Sequence, residues 1–149
     1  MNLAALAAKI AEPRYAGLSD QLLADAVNAL RVSVRRPVPT YLVRRKACEG
    51  LYWSDLIDAC ESSEVMLKKL SRAMMIWVND TSGTVQTIDM DLPAVVSVMA
   101  GLVSFGVITQ AQADALSALA DASIPWTESV GLPEIGVGLI VNARRMTNG

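Results

Sequence analysis

The stretch LPAVVSVMAGLVSFGVITQAQADALSALAD, residues 92–121, decides the fold of this chain of 149 residues. Residues 92–108 are mostly apolar, and the first charged side chain after them is Asp114. Seventeen residues lie at the short end for a membrane span, and two Ser and two Gly residues interrupt the run. No Lys or Arg flanks it to orient it in a bilayer. The run therefore predicts a buried helix of a globular core, with a membrane-active helical protein as the alternative.

The same stretch carries signals that start and stop two helices. Pro93 fits the first turn of a helix, where its missing N–H costs nothing, and Gly106 fits the end of that helix. Thr109 and Gln112 have the spacing of a capping box, in which each side chain bonds to the backbone N–H of the other residue. The sequence therefore predicts an αα-hairpin over about 92–121.

Most of the remaining chain has apolar residues at helical spacing. The predicted helices cover about 2–12, 20–31, 41–50, 53–60, 64–79 and 134–145, with Ser19, Thr40 and Ser54 as N-caps and Gly50 as a stop. Two segments, about 32–39 and 84–88, contain prolines or turn signals and residues that favour extended backbone. The sequence predicts a mostly α fold, with a single helical domain over 1–149, about six to eight helices and these two short extended segments.

Composition excludes several classes of reaction. The chain has no histidine, which excludes a Ser-His-Asp triad, a Cys-His nucleophile and any His-ligated metal. Cys48 and Cys60 form no CxxC pair and are predicted to be small buried hydrophobic residues. Asp55 and Asp58 share a helix face, but no further motif supports a catalytic pair, so we expect them to be solvated. We therefore predict no catalytic, cofactor-binding or metal-binding residue, and a protein that is not an enzyme.

Charge is distributed unevenly along the chain. Charged residues make up 19% and apolar residues 52%, which leaves less polar cover than usual and suggests a surface buried against a partner. Residues 1–46 have a net charge of +5, whereas residues 73–143 carry seven acidic side chains and no basic one. Opposite charges at the two ends favour head-to-tail contact between copies, which closes into rings or extends as stacks. The alternative is that folding brings the ends together and the charges are simply solvated.

A cluster of basic residues lies in 31–46. Its six cations, with no acidic residue among them, are Arg31, Arg35, Arg36, Arg44, Arg45 and Lys46. This basic extended segment is a candidate for an inter-subunit arm that faces protein. The alternative is a nucleic-acid contact, for which only Tyr41 is available to stack on bases. The other candidate interface residues are Arg144, Arg145 and Trp126. A core position is the default for Trp126, and an exposed Trp126 would be an interface anchor.

Three groups of residues resemble a known family. The first is PRYAGLSD at 13–20 with ADAVN at 24–28, and the second is GVIT at 106–109 with Ala113, Leu116, Leu119 and Ala120. The third is WTESVGL at 126–132 with Val137, Ala143, Arg144 and Arg145. Together they resemble a loose family of small helical proteins encoded among the virion genes of tailed bacteriophages, although 62–90 is longer than expected for that family.

The resemblance implies a structural role in a virus particle, with no catalytic residues to transfer. We expect a neck or tail component, as a connector, adaptor or tail-associated protein, that works as a ring-like homo-oligomer and contacts other virion proteins. The expected location is the virion, after synthesis in the cytoplasm of the host bacterium. A nucleic-acid-binding or regulatory module and a capsid decoration protein are the alternatives, and we expect neither a cofactor nor a membrane.

Overall fold

A computed structural model describes residues 1–79 and 86–148, and these residues confirm the mostly α-helical fold. The α-helices of the described residues are α1 (Leu3–Ile10), α2 (Asp20–Ala29), α3 (Thr40–Glu49), α4 (Trp53–Ala59), α5 (Val65–Val78), α6 (Pro93–Ser104), α7 (Gln110–Ala118), α8 (Trp126–Ser129) and α9 (Val137–Thr147). The strands are β1 (Arg31–Arg35), β2 (Val38–Pro39), β3 (Thr87–Ile88) and β4 (Asp121–Pro125). A 3-10 helix covers Pro13–Tyr15. The described residues form nine α-helices, one more than the predicted maximum of eight, and the additional helix is the single turn of α8.

Several helix ends lie where the sequence predicts them. Ser19 caps α2, because its Oγ accepts a hydrogen bond from the N–H of Leu22 at 3.3 Å. Thr109 and Gln112 form the predicted capping box, with the two backbone-to-side-chain hydrogen bonds at 2.9 and 3.1 Å. Gly106 ends α6 with a φ of +73°, which glycine adopts without strain. Each of these ends depends on residues within about one turn, so the local sequence is sufficient to predict it.

The predicted N-caps Thr40 and Ser54 are wrong. Thr40 is already the first residue of α3, because its N–H and its hydroxyl both donate to the carbonyl of Gln86, at 3.0 and 3.5 Å. Ser54 lies inside α4, which begins one residue earlier at Trp53 without a side-chain cap. The error at Thr40 involves a contact from outside the helix, to Gln86, that the local sequence does not show.

α3 ends at Glu49 with Gly50 as its C-cap, which confirms the predicted stop at Gly50. Gly50 has a φ of −80°, whereas the left-handed residue is Leu51, with a φ of +60°. A Cβ on Gly50 would lie 2.5 Å from the ring of Tyr52. Glycine is therefore needed here for close packing against Tyr52 rather than for its backbone conformation.

The extended segments form two small sheets, in which β1 pairs with β4 and β2 pairs with β3. β2 and β3 are antiparallel, with Val38 opposite Ile88 and Pro39 opposite Thr87. The predicted segment 32–39 is thus confirmed as extended. Of the predicted segment 84–88, residues 84 and 85 lie outside the described residues.

Two predicted helix boundaries are wrong because contacts distant in sequence override the local pattern. The second helix of the hairpin ends before residue 121, since the carbonyl of Ala120 accepts a hydrogen bond from the N–H of Arg36 at 2.9 Å and the chain continues into β4. The last helix begins at Val137 rather than at 134. Here the side-chain amide of Asn28 bonds to both the N–H and the C=O of Ile135, at 2.8 and 2.9 Å, which satisfies this backbone outside a helix.

The chain divides into two compact units, each with its own core. Unit 1 combines Met1–Val34 with Ser123–Gly149, so both ends of the sequence contribute to it. In unit 1, α9 packs on α1 and α2, and α8 packs on α2. Its core includes the fully buried Leu6, Leu23 and Ile140. A single domain over 1–149 stays a prediction.

Unit 2 covers Arg35–Ala122 and contains the predicted hairpin of α6 and α7. In this unit α5 packs on α3, α4 and α6, and α6 packs on α7. Leu102 and Leu116 of the hairpin join Met74 of α5 in the core, and all three are almost completely buried. Among the helices of the described residues, none has the length and apolarity that a membrane span requires.

The close approach of α6 to α5 requires a glycine. A Cβ on Gly101 of α6 would lie 2.4 Å from Cδ1 of Leu70 on α5. Such a distance forces a side chain to move, so Leu70 occupies the space that any other residue at 101 would need.

Ser71 of α5 provides a test of this packing. Its side chain is completely buried, and its Oγ has no hydrogen-bond partner among the described residues. A buried hydroxyl without a partner costs free energy, so we expect Ser71→Ala to stabilise the protein by about 1 kcal/mol. Ser97→Ala, at an exposed position of α6, controls for the higher helix propensity of alanine. Denaturant unfolding of both variants measures the difference, and equal gains would show that the Ser71 hydroxyl is satisfied in solution.

Candidate interaction surface

The basic segment 31–46 is not extended over its whole length. Residues 31–35 form β1 and pair with β4 of the same chain, and residues 40–49 form α3. The structure thus corrects the expectation of an extended arm at this part of the segment. Each of the candidate cations must then be assessed from its own contacts.

Arg35 is held by contacts within unit 2. Its guanidinium donates two hydrogen bonds to the carboxylate of Asp91, at 2.9 and 3.2 Å. A further bond of 2.8 Å goes to Asp121, and two bonds of 2.9 Å go to the carbonyl and the hydroxyl of Ser117. The five bonds connect β1 to the start of α6, the end of α7 and the start of β4. Arg35 is therefore a structural residue, and its charge is balanced inside the chain.

The charges around Arg35 shift each other's ionisation. Hydrogen bonds from Arg35 lower the pKa of Asp91, and hydrogen bonds to Asp91 and Asp121 raise the pKa of the guanidinium. The ion pairs are partly exposed, so solvent screens them and the pairing is weaker than its geometry suggests. Reversing the charge of Arg35 would consequently disturb the fold as well as any contact with a partner.

The remaining cations of 31–46 are divided among several contacts. Arg31 donates to the carbonyl and hydroxyl of Ser123, and the N–H of Arg36 belongs to the β1–β4 pairing. On α3, Arg44 donates to Asn79 at 3.3 Å and Arg45 pairs with Glu49 at 2.9 Å. Lys46 is half-buried and has no ion-pair partner among residues 1–79 and 86–148. The three cations on α3 are thus the part of the cluster that a nucleic acid or an acidic protein could meet.

Trp126 is not an exposed anchor. Its side chain is only 9% exposed and packs in the core of unit 1, with Nζ of Lys9 at 5.4 Å from the ring centroid. The backbone N–H of Trp126 donates a hydrogen bond to the carbonyl of Leu30 at 2.9 Å. The structure therefore corrects the expectation that this residue is available to a partner.

Of the two arginines on α9, one is engaged within unit 1. Arg144 donates to the carbonyl of Leu18 at 2.8 Å and forms an ion pair of 2.7 Å with Asp20. Arg145 is exposed and forms no ion pair or side-chain hydrogen bond within the described part of the chain. Arg145 is thus the one of this pair that remains available to a partner.

Folding reduces the charge asymmetry of the linear sequence. Unit 1 contains five basic and five acidic residues, and unit 2 contains eight basic and ten acidic residues. The pairs Arg35–Asp91 and Arg35–Asp121 each join a basic residue of 1–46 to an acidic residue of 73–143. The alternative stated for the sequence, in which folding brings opposite charges together, thus accounts for part of the asymmetry.

Sequence reasoning missed the exposed apolar side chains of unit 2. On α5 and at the start of α6, five of them are at least half exposed: Val65, Met66, Ile76, Leu92 and Val96. A groove of about 180 Å³ lies between α6 and α7 and is lined mainly by apolar side chains, including Val96 and Val103. The signal for α6 was present in the sequence, since residues 92–108 are apolar on every face of the predicted helix.

Unit 2 contains both cysteines and the buried Tyr52. Cys48 is exposed, which corrects the expectation of a buried cysteine, and Cys60 donates from its Sγ to the carbonyl of Leu56 at 3.3 Å. Burial raises the pKa of the Cys60 thiol, and burial raises the pKa of Tyr52 to about 12. Both shifts favour the protonated form, which already predominates at neutral pH for a tyrosine or cysteine with its ordinary pKa.

The described residues contain no group of three or more acidic, cysteine or histidine side chains that could hold a metal ion. Comparison of the chain with family models, with curated proteins and with solved structures finds no match.

Substitution of Arg35 tests its structural role through the pH dependence of stability. Because the folded-state pKa of Asp91 is lowered, the contribution of its pairing is complete above the ordinary Asp value of about 3.9 and is lost as the pH falls through the folded-state pKa. Arg35→Gln removes this contribution. We therefore expect the difference in Tm between the wild type and Arg35→Gln to be largest near pH 6 and to shrink towards pH 2.

Arg45→Gln is the matched control, because Arg45 forms one exposed pair with Glu49. Its Tm difference from the wild type is expected to be small at every pH. A difference for Arg35→Gln that stays constant from pH 6 to pH 2 would contradict the proposed coupling to Asp91.

Trp126→Ala distinguishes a core residue from an interface anchor. Truncating a buried Trp removes its packing and leaves a cavity, so we expect a loss of about 3–5 kcal/mol in the free energy of unfolding. Trp126→Phe keeps most of the ring and is expected to lose less. Denaturant unfolding at low protein concentration is the measurement, and unchanged stability of Trp126→Ala would contradict the buried position.

Proposed function

We propose that the chain is a non-enzymatic structural subunit of a tailed-bacteriophage particle, acting in the neck or tail as a symmetric oligomer. The observation that carries the proposal is the set of exposed apolar side chains on α5 and at the start of α6. Monomeric soluble proteins rarely expose contiguous apolar surface without a function, and such surface marks contact sites. An assembly subunit needs a surface of this kind, whereas a free monomer gains nothing from it.

The chemistry of the surface supports protein as the partner. Apolar side chains on a regular helix gain free energy when another packed surface removes them from water. A nucleic-acid site needs clustered cations, and Arg31 and Arg35 are already bonded within the chain. The remaining cations on α3 form a smaller group, with Glu49 next to it. A protein-binding subunit is therefore better supported than the nucleic-acid alternative.

The place in a virus particle rests on the resemblance of residues 13–28, 106–120 and 126–145 to small helical virion proteins. Rings and stacks at the neck and tail axis are built by repeating one contact between copies. A small subunit with an exposed apolar surface fits this kind of assembly.

Counting the chain in purified phage particles tests the proposal. We expect a reproducible small multiple, about six or twelve copies per particle, because closed rings around the tail axis have such symmetry. Quantitative mass spectrometry gives the number, with the major capsid protein as the internal standard. Hundreds of copies would instead indicate a capsid or tube decoration, and absence from the particle would overturn the proposal.

A further inference from the structure

The outer face of α5 combines apolar and basic side chains. Val65, Lys69, Arg72 and Ile76 follow each other at steps of four, three and four residues, which places them on one side of the helix. Val65 is 64% exposed and Ile76 is 68% exposed, so both ends of this face are apolar and open to solvent. We call these four residues the α5 face. Arg72 forms an ion pair of 3.1 Å with Glu61, so Lys69 is the cation of this face that has no ion-pair partner among the described residues.

The exposed side of α6 carries an apolar stripe, and α6 contains no charged residue. Leu92, Val96, Ala100 and Val103 are spaced by four, four and three residues and form an apolar stripe. Leu92 is 50% and Val96 is 51% exposed, and the last three residues line the groove towards α7. We call this stripe, with the groove beside it, the α6–α7 groove.

The groove has acidic residues at its edge and near its start. Asp114 lines it, and the Asp114 carboxylate accepts a hydrogen bond from Nε2 of Gln110 at 2.8 Å. Asp89 precedes α6, and its Oδ1 accepts a bond from the N–H of Asp91 at 2.9 Å. Within the described residues, neither Asp89 nor Asp114 has a basic side chain paired with it. The groove is thus apolar inside and negative at its margin.

The two surfaces are both apolar and carry opposite charges. Val65 and Ile76 lie eleven residues apart on α5, about 16 Å at the usual rise per residue, and the groove-lining Val96 and Val103 lie seven residues apart on α6, about 10 Å. Lys69, which has no ion-pair partner among the described residues, lies between the apolar ends of its face. Helices commonly dock in apolar grooves through side chains at such spacings, with charge at the rim fixing the partner.

We propose that the α5 face of one copy occupies the α6–α7 groove of a second copy of this chain. This inference deepens the proposed function, because it rests on the chain acting as a self-assembling subunit and names the contact. Both surfaces belong to unit 2, so the contact is defined within one compact unit. The contact joins two different surfaces. In a dimer, one copy therefore keeps a free α5 face and the other a free groove, so further copies add until a ring closes or a stack extends.

Two single substitutions each disrupt one of the two surfaces of this contact. Ile76→Glu places a charge on the α5 face, and Val96→Glu places one in the groove. Burying an unpaired carboxylate against apolar surface is costly, so each variant is expected to lose about 100-fold or more in association constant. Because both side chains are at least half exposed, neither change is expected to unfold the chain.

Mixing the two variants gives the decisive measurement, by sedimentation velocity. Wild-type protein is expected to form species larger than a dimer, and each variant alone to sediment as a monomer of 15.9 kDa. An equimolar mixture keeps one undamaged groove and one undamaged α5 face, so it is expected to form a 1:1 dimer and nothing larger. Leu22→Glu, at a 55% exposed position of α2 in unit 1, is the control and is expected to assemble as the wild type does.

The outcomes distinguish this contact from the proposed function. Wild-type assembly that persists in both glutamate variants would overturn the contact while leaving a self-assembling subunit. A wild type that stays monomeric at high concentration would overturn the contact. The copy number in particles would then decide whether the chain has a structural role through contacts with other virion proteins. A mixture that stays monomeric, although each variant is folded by circular dichroism, would also overturn it.

Discussion

The packing of α6 against α5 and α7 is the constraint on which unit 2 depends. α6 has no charged side chain, so it gains stability mainly by removing apolar surface from water. Leu102 lies in the core with Met74 of α5 and Leu116 of α7, and Gly101 lets Leu70 approach where a larger residue would collide. The capping box of Thr109 and Gln112 starts α7 locally, and the bond from Arg36 to Ala120 directs the chain that leaves it. The packing of one apolar helix thus organises its neighbours.

Polar contacts then fix how the strands join this core. Arg35 bonds to segments at the start of α6, the end of α7 and the start of β4, and in unit 1 Asn28 does the same for the backbone before α9. Each bond is individually modest, because it replaces a bond to water. Their value lies in geometry, since one planar side chain satisfies groups from distant parts of the sequence. Such bonds explain why Arg35, although arginine is associated with binding surfaces, has a structural role.

The sequence predicts what is decided within about one helical turn. The caps at Ser19 and Thr109, the end of α6 at Gly106 and the buried hairpin all follow from neighbouring residues. β4 and the late start of α9 depend on partners about 85 to 107 residues away, such as Ile135 for Asn28, and no local pattern shows them. For the interaction surface, the sequence identifies basic residue types but not their partners. It consequently favoured Arg35 and Trp126, which the fold uses internally.

The exposed stripe of α6 is what the internal packing leaves unexplained. Leu92, Val96 and Ala100 face solvent, so polar residues at these positions would cost the isolated fold little. A single exposed apolar side chain is common on a protein surface, but Val96 and Ala100 lie one turn apart and line an apolar groove together with Val103. A monomer provides no reason for an apolar residue at each position, whereas a helix docked along the stripe provides one at all three. The proposed contact with a second copy would give this third side of α6 an apolar partner, as α5 and α7 do for the other two sides.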